Sequence, residues 1–199
     1  MVTALLTDER LVKLHPLAVD FDELIEIDPP WQPRMADDDA FEKTHFAQCF
    51  VQIVDWLQSA RRPFMLWCHL SGLGTTWDAP IEFRERYWED GDPEPSRSAE
   101  PPDQMLDEDH DPDEVLGFSQ AYAGQVSLLD ACVGGLWEEL QEESGLQQTA
   151  LMLTSCRGFP LGEHRRLGPC DESLYAELAQ VPLMIRMPDR LGATARSQA

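Results

Sequence analysis

The residues best suited to chemistry gather in one stretch, TSCRGFPLGEHRRLG, at positions 154–168. Guanidinium groups bind sulfate, phosphate or carboxylate through paired N–H donors, so Arg157, Arg165 and Arg166 are candidate anion-binding residues. The same arginines could instead pair with the chain's own carboxylates, and the sequence leaves both interpretations open. His164, in the same stretch, is a candidate catalytic group because imidazole titrates near neutral pH.

A second candidate catalytic residue, His69, lies at the end of the apolar run PFMLWCHL, residues 63–70. Parallel sheets bind ligands at the carboxyl ends of their strands, which makes His69 a better candidate than an arbitrary histidine, although a structural role is the favoured interpretation. The run SGLGTT that follows, residues 71–76, has two glycines but neither GxGxxG spacing nor the lysine of a Walker loop. It predicts a turn rather than a phosphate-binding loop.

The elements that must position these residues alternate along the chain. Short apolar runs predict strands, two of them covered on both faces, and helical spacing predicts helices between the strands. The first long helix is predicted to begin at Asp38, capped by Asp37 or Asp38, and the second to end at Gly145. The predicted strands cover residues 2–8, 24–28, 63–70, 149–155 and 181–188, and a short helix covers 172–180. This order predicts an α/β fold with a mostly parallel sheet and helices on both faces.

One segment, residues 89–114, has a different composition from the rest. It holds twelve acidic residues against one arginine, with frequent proline and almost no large apolar side chain. Such a segment cannot bury enough apolar surface to offset the entropy of ordering it. We therefore predict a disordered acidic insertion at 89–114 in a single domain spanning residues 1–199.

The overall composition excludes several classes of function. A formal net charge of −22 leaves no basic surface for nucleic acid or for anionic membranes. No run is long and apolar enough to predict membrane insertion, and charges at residues 8–10 fall where a signal peptide needs its apolar run. The compartment stays open, with the cytoplasm as the default. The five cysteines lack zinc-finger spacing and are too dispersed to predict a disulfide framework.

Four segments, in order, match one known pattern. Residues 63–80 are similar to a strand that ends in histidine, and AYAGQVSLLDACVGGLWEEL (121–140) to a helix with a tyrosine, a central aspartate and a glycine. TALMLTSCRGFPLGEHRRLG (149–168) is similar to a strand followed by Thr-Ser-Asp-His-Gly and Gly-Glu-His, and residues 171–189 to the helix and strand after it. Together they resemble the sulfatase family, and the resemblance implies an alkaline phosphatase-like core, here incomplete.

The resemblance also implies a chemistry that this sequence lacks. Sulfatases use a calcium-type ion, held partly by the Asp-His pair, and a formylglycine made from cysteine or serine in Cys/Ser-x-Pro-x-Arg. Here Cys156 and Arg157 occupy the pair's positions, and no Cys/Ser-x-Pro-x-Arg occurs. A thiol is a poor ligand for a hard cation and a guanidinium repels it. We therefore predict no metal cofactor and no sulfatase turnover, with binding of an anion or a protein instead.

Two alternatives stay open. The chain could be part of a functional sulfatase or phosphoric ester hydrolase whose metal ligands and nucleophile lie on a missing N-terminal segment or a partner chain. It could also be an unrelated acidic α/β binding module. If the chain is sulfatase-like, whether silent or part of a functional enzyme, its incomplete sheet has an open apolar edge. This edge predicts a protein partner or a complementary segment.

Overall fold

A computed structural model describes residues 1–28, 41–142, 146–169 and 173–188 of the chain. The strands are β1 Val2–Thr7, β2 Glu23–Glu26, β3 Phe64–His69, β4 Gln104–Met105, β5 Leu151–Thr154, β6 Arg166–Leu167 and β7 Leu183–Arg186. The α-helices are α1 Arg10–Lys13, α2 His45–Ser59, α3 Ile81–Arg84, α4 Pro112–Glu142 and α5 Ala176–Ala179. No helix among these residues is long and apolar enough to span a membrane.

The parallel sheet predicted from the sequence is present. Strand β1 lies between β2 and β3 and runs parallel to both, with Thr7 opposite His69 at the carboxyl end. Strands β5 and β7 form a separate antiparallel pair, and β4 pairs antiparallel with β6. The mixed α/β fold with a parallel sheet is therefore confirmed.

The main hydrophobic core lies between the sheet and the two long helices. Ala4 and Leu6 of β1 are fully buried against α2 residues such as Ile53 and α4 residues such as Leu140. Burying side chains of this size stabilises the fold by about 1.5–3 kcal/mol each. Helix α2 contributes its apolar stripe because its buried residues recur at helical spacing: Phe46, Ala47, Cys49, Ile53, Trp56 and Leu57.

The predicted coverage of β3 and β5 on both faces is wrong. Alternate residues of both strands are exposed, among them Met65 and Trp67 in β3 and Met152 in β5. Helices α2 and α4 pack against the other face of the sheet, so a continuous apolar run does not imply two buried faces here. The exposed side chains leave an apolar surface on the described part of the chain.

Helix boundaries also differ from the predicted ones. Helix α2 begins at His45 after a short 3-10 turn at Phe41–Lys43, and the Thr44 hydroxyl accepts a hydrogen bond from the Ala47 amide. Threonine is a strong helix cap, which explains this start. The predicted caps at residues 37 and 38, and the predicted stop at residue 145, lie outside the described residues.

Helix α4 buries a face that differs in part from the one that helical spacing predicts, which holds Tyr122, Val126, Leu129, Val133, Leu136, Trp137 and Leu140. Leu136 and Leu140 are buried as expected, but so are Leu128 and Cys132, whereas Val126 is exposed. The predicted face instead borders an open groove of about 260 Å³ between α4 and the β5–β7 pair. The apolar stripe of α4 is therefore wide enough to face both α2 and this groove.

The acidic segment 89–114 contacts its neighbours at residues 96–99 and enters α4 at Pro112, and its disorder stays a prediction. Arg84, fully buried, donates to the carbonyl oxygens of Ser96 and Ser98 in that segment and of Trp77 and Ala79 before α3. Burial lowers the pKa of Arg84 to about 10, which leaves it charged at neutral pH. Arg84 thus binds residues 96 and 98 through their backbone carbonyls.

Helix α3 approaches α4 closely at a glycine. A Cβ atom at Gly124 would lie 2.9 Å from the Arg84 backbone nitrogen, closer than side-chain carbons pack. Glycine at this position lets Arg84 lie against α4 while its guanidinium reaches the acidic segment. A single buried cation thus connects α3, α4 and residues 96–98.

We expect Arg84→Met to lower the free energy of unfolding by about 3 kcal/mol or more, because several buried carbonyls lose their only strong donor. Urea denaturation followed by circular dichroism measures the change. Arg86→Met is the matched control, since its exposed guanidinium only stacks 4.0 Å above the Phe83 ring. The control should lose about 1 kcal/mol or less. Equal losses in both variants would contradict the role given to Arg84.

Candidate functional site

A buried carboxylate lies at the carboxyl edge of the parallel sheet. Asp8 follows β1, and Ser71 follows β3 two residues beyond the strand end. The Ser71 amide donates to Asp8 Oδ1 at 2.9 Å, and the Ser71 hydroxyl donates to Asp8 Oδ2 at 2.8 Å. Because parallel neighbouring strands end at the same edge, the fold brings these two loops together.

The first residue of α2 completes this arrangement. The His45 ring nitrogen Nε2 lies 2.7 Å from Asp8 Oδ2, and only 2% of the Asp8 side chain is exposed. The His45 backbone amide donates to Asp78 Oδ2 at 2.6 Å. Two carboxylates therefore fix both the imidazole and the start of the helix.

Cys49 lies one helical turn beyond His45, on the same face of α2. The ligand atoms of Asp8, His45 and Cys49 lie within 4.8 Å of one another. Burial, together with the negative charges of Asp8 and Asp78, raises the pKa of the Cys49 thiol. The thiol is therefore protonated at neutral pH and is a poor nucleophile as it stands.

The electrostatics of Asp8 reflect two opposed effects. Burial acts to raise the pKa of the Asp8 carboxyl, but hydrogen bonds from His45 and Ser71 outweigh it and hold the pKa below its usual value. The carboxylate form is therefore the one that the fold stabilises.

The predicted catalytic candidate His69 lies at the same edge but contacts a different acid. Its Nε2 lies 2.9 Å from Oε2 of Glu9, in a partly exposed pair. His69 ends β3, as the sequence predicted. The pair can serve a structural purpose without any reaction, so a catalytic role for His69 stays a prediction.

The loop after β5 reaches the loop after β3 through aromatic contacts. The Phe159 ring lies 5.3 Å from Trp77 and 5.7 Å from Tyr122 between centroids. The Trp77 indole in turn donates to the Leu73 carbonyl at 2.9 Å. The segment singled out first from the sequence is therefore anchored to the loop that follows His69.

Glycine is required at the start of that anchor. The Gly158 amide donates to the Leu178 carbonyl at 3.0 Å, and a Cβ atom at Gly158 would lie 1.8 Å from the Glu177 carbonyl oxygen. No side chain fits such an approach. Gly158 therefore lets the turn formed by residues 155–158 pack against α5.

The predicted anion-binding arginines differ in their surroundings. Arg165 lies 3.6 Å from Glu108, and Arg166 binds Asp103 and the Pro169 carbonyl. Both carboxylates belong to the acidic segment. Arg157 is exposed, and its carbonyl accepts a 2.6 Å hydrogen bond from the Ser155 hydroxyl. Anion binding by these residues stays a prediction.

The second catalytic candidate, His164, belongs to a separate cluster. Its ring stacks on Tyr175 with 4.0 Å between centroids, and its Nε2 lies 3.6 Å from Glu177. The contacts of the described residues therefore do not bring His164 together with His69 or Asp8. A catalytic role for His164 also stays a prediction.

Comparison with known proteins gives the family. The family model for sulfatase matches residues 18–199. The chain belongs to the sulfatase family. An N-acetylglucosamine-6-O-sulfatase of Bacteroides thetaiotaomicron is 34% identical over 83 residues, which are 41% of this chain and 14% of that protein.

Among solved structures, a phosphonate monoester hydrolase of Agrobacterium radiobacter matches with a TM-score of 0.63 and 13% identity. The match covers 94% of this chain and 50% of that one, so the chain spans about half of its structural relative. At this identity the likeness shows the fold, an alkaline phosphatase-like core. The sulfatase membership is not consistent with an unrelated acidic α/β module.

The sulfatase family generally uses a divalent metal, and residues 155–158 do not fit a calcium-type ion. Cys156 offers a soft thiol and Arg157 a permanent positive charge, whereas calcium takes six to eight oxygen ligands. The Ser155 hydroxyl is committed to the Arg157 backbone. No chemistry through a calcium-type ion follows from these residues.

The sequence did not predict the cluster of Asp8, His45 and Cys49. The sequence places Asp8 at the end of the predicted strand 2–8, and His45 and Cys49 at helical spacing within the helix predicted to begin at Asp38. Two signals could have indicated it: an acid directly after a buried strand, and a histidine and a cysteine at i, i+4. What joins them is tertiary packing, which spacing alone does not reveal.

The lowered pKa of Asp8 predicts a pH-dependent stability difference. Because the folded state holds the pKa of Asp8 below its ordinary value of 3.8, the stability that the carboxylate contributes is present above that pH. This stability is lost as pH falls through the folded pKa. We expect Asp8→Asn to lose about 1–3 kcal/mol at pH 7 and for this gap to shrink in acid. Urea unfolding with a chelator, across pH, measures it; a gap that grows in acid would contradict the assignment.

Proposed function

We propose that this sulfatase-family domain does not hydrolyse sulfate esters by itself and acts as a non-catalytic member that binds a small anion or a protein. The observation that carries the proposal is the Cys156–Arg157 dipeptide, where the sulfatase pattern has Asp-His. An arginine 4 Å from a cation adds repulsion of several kcal/mol at an effective dielectric constant of about 20. A hard dication would bind there only against that repulsion.

The cysteines support the same conclusion about the nucleophile. None stands in a Cys-x-Pro-x-Arg sequence that could give a formylglycine. Burial raises the pKa of the Cys132 thiol to about 12, so it is not ionised at neutral pH. Without an activated nucleophile the chain loses the covalent route that accelerates ester cleavage.

Arg157 is the residue that we assign to anion binding. It is exposed beyond β5, at the end of the chain segment that Phe159 anchors to Trp77. Arg165 and Arg166 belong to the same predicted anion-binding set, and an incoming sulfate would compete there with Glu108 and Asp103. The net charge of −22 disfavours polyanions, so the ligand is a small anion or an acidic group on a partner.

A second function stays open as an alternative. The chain spans about half of the solved phosphonate monoester hydrolase and 14% of the curated sulfatase. A sulfuric or phosphoric ester hydrolase could therefore form if another polypeptide segment supplied the metal ligands and the nucleophile. The exposed apolar residues of β3, β5 and β7 would then be covered by that segment.

Calcium titration with an aryl sulfate assay separates the two functions. For the chain alone we expect no calorimetric heat of calcium binding at millimolar concentration and no release of the aryl alcohol above the buffer rate. Micromolar calcium binding together with turnover would overturn the proposal in favour of the hydrolase. Calorimetric titration of the Arg157→Ala variant with calcium tests the repulsion by itself, because this variant lacks the guanidinium charge at position 157.

Sulfate titration followed by chemical-shift changes tests the anion-binding role. We expect Arg157→Ala to weaken sulfate binding about tenfold or more, since a charge-assisted hydrogen bond contributes about 1.5–3 kcal/mol. Arg10→Ala is the control, because this exposed arginine lies on α1 at a different position along the chain. Sulfate binding that Arg157→Ala leaves unchanged would contradict the assignment.

A further inference from the structure

We infer that Asp8, His45 and Cys49 form a binding site for a borderline transition metal such as Zn²⁺. This site differs from the calcium-type position at residues 155–158, and the proposal is independent of whether the domain hydrolyses esters. It also leaves the predicted absence of a calcium-type ion unchanged.

The geometry provides the first argument. One oxygen, one nitrogen and one sulfur converge within 4.8 Å of one another from the end of β1 and the first turn of α2. Zinc bonds of about 2.0–2.3 Å place neighbouring ligand atoms about 3–4 Å apart, so small side-chain movements suffice. An ion between Asp8 and His45 would replace the 2.7 Å hydrogen bond that now joins them.

The donor types select the kind of ion. Imidazole, carboxylate and thiolate are all zinc ligands, and three protein ligands leave the fourth tetrahedral position to water or another donor. Calcium is disfavoured because it needs six to eight oxygens, of which this cluster supplies few. The chemistry of the cluster thus favours an ion that accepts nitrogen and sulfur.

The ligands are held by a second layer of contacts. Ser71 donates to both Asp8 oxygens, through its amide to Oδ1 and its hydroxyl to Oδ2. The Asp78 carboxylate accepts a hydrogen bond from the His45 backbone amide and so fixes the first turn of α2. Outer contacts of this type orient metal ligands and strengthen binding.

Charge and proton balance are consistent with a dication. Asp8 carries a negative charge at the site, and Asp78 lies close enough to raise the pKa of Cys49 by its charge. On binding, the Cys49 S–H bond breaks, the proton leaves to the buffer and the sulfur lone pair binds the metal. No oxidant or reductant is needed. His45, the partly accessible member of the pair with 10% of its side chain exposed, provides the entry side.

Titration of the full chain with Co²⁺ and Zn²⁺ tests the site. We expect one equivalent of Co²⁺ to bind, with tetrahedral visible bands and a thiolate-to-cobalt charge-transfer band, and Zn²⁺ to displace it. Cys49→Ser should abolish the charge-transfer band. Cys132→Ser is the matched control, a second buried cysteine outside the cluster, and should keep the band. Urea unfolding establishes that both variants are folded.

Two further variants keep the test decisive if Cys49→Ser does not fold. His45→Gln should weaken Co²⁺ binding, and Ser71→Ala, which removes only an outer contact, should weaken it about 10–100-fold. Excess calcium should not compete with Co²⁺. Absence of saturable binding to the unaltered chain, or a charge-transfer band that survives in Cys49→Ser, would overturn the proposal.

Discussion

The buried carboxylate of Asp8 connects the three elements that meet at the carboxyl edge of the parallel sheet. It follows β1, accepts hydrogen bonds from Ser71 after β3, and lies beside His45 at the start of α2. Burying a carboxylate is unfavourable unless donors surround it, and here they do. Because the donors come from two different parts of the chain, Ser71 and His45, satisfying this one charge fixes where α2 begins and how the loop after β3 turns.

Under the proposed function, this sulfatase-family domain retains its frame while the side chains at the Asp-His positions differ. Gly158 and Phe159 still hold the loop after β5 against its neighbours, through a backbone approach that admits no side chain and through stacked rings. The thiol of Cys156 and the guanidinium of Arg157 lie between β5 and Gly158 along the chain. The frame depends on packing and backbone hydrogen bonds, whereas cation binding depends on two side chains, so one can persist without the other.

The five main strands, the two long helices, the parallel sheet and the sulfatase membership could be predicted from the sequence, because apolar periodicity and the motif near residues 154–168 are local signals. The short elements α1, α3, β4 and β6 could not. The coverage of β3 could not, since the same apolar run suits a strand with one face exposed, as Trp67 shows. Nor could the contacts of residues 96–98, where Arg84 binds backbone carbonyls rather than side chains. The cluster at Asp8 depends on contacts between residues 37 positions apart.

A crystal structure of the full chain grown with calcium tests the central claim most directly, because it locates the ion without relying on activity. The account predicts no calcium within about 2.6 Å of a side-chain oxygen of residues 155–158. It also predicts that Arg157 occupies the space where such an ion would be held. An ordered calcium ion coordinated at Ser155, with the guanidinium turned away, would contradict the account.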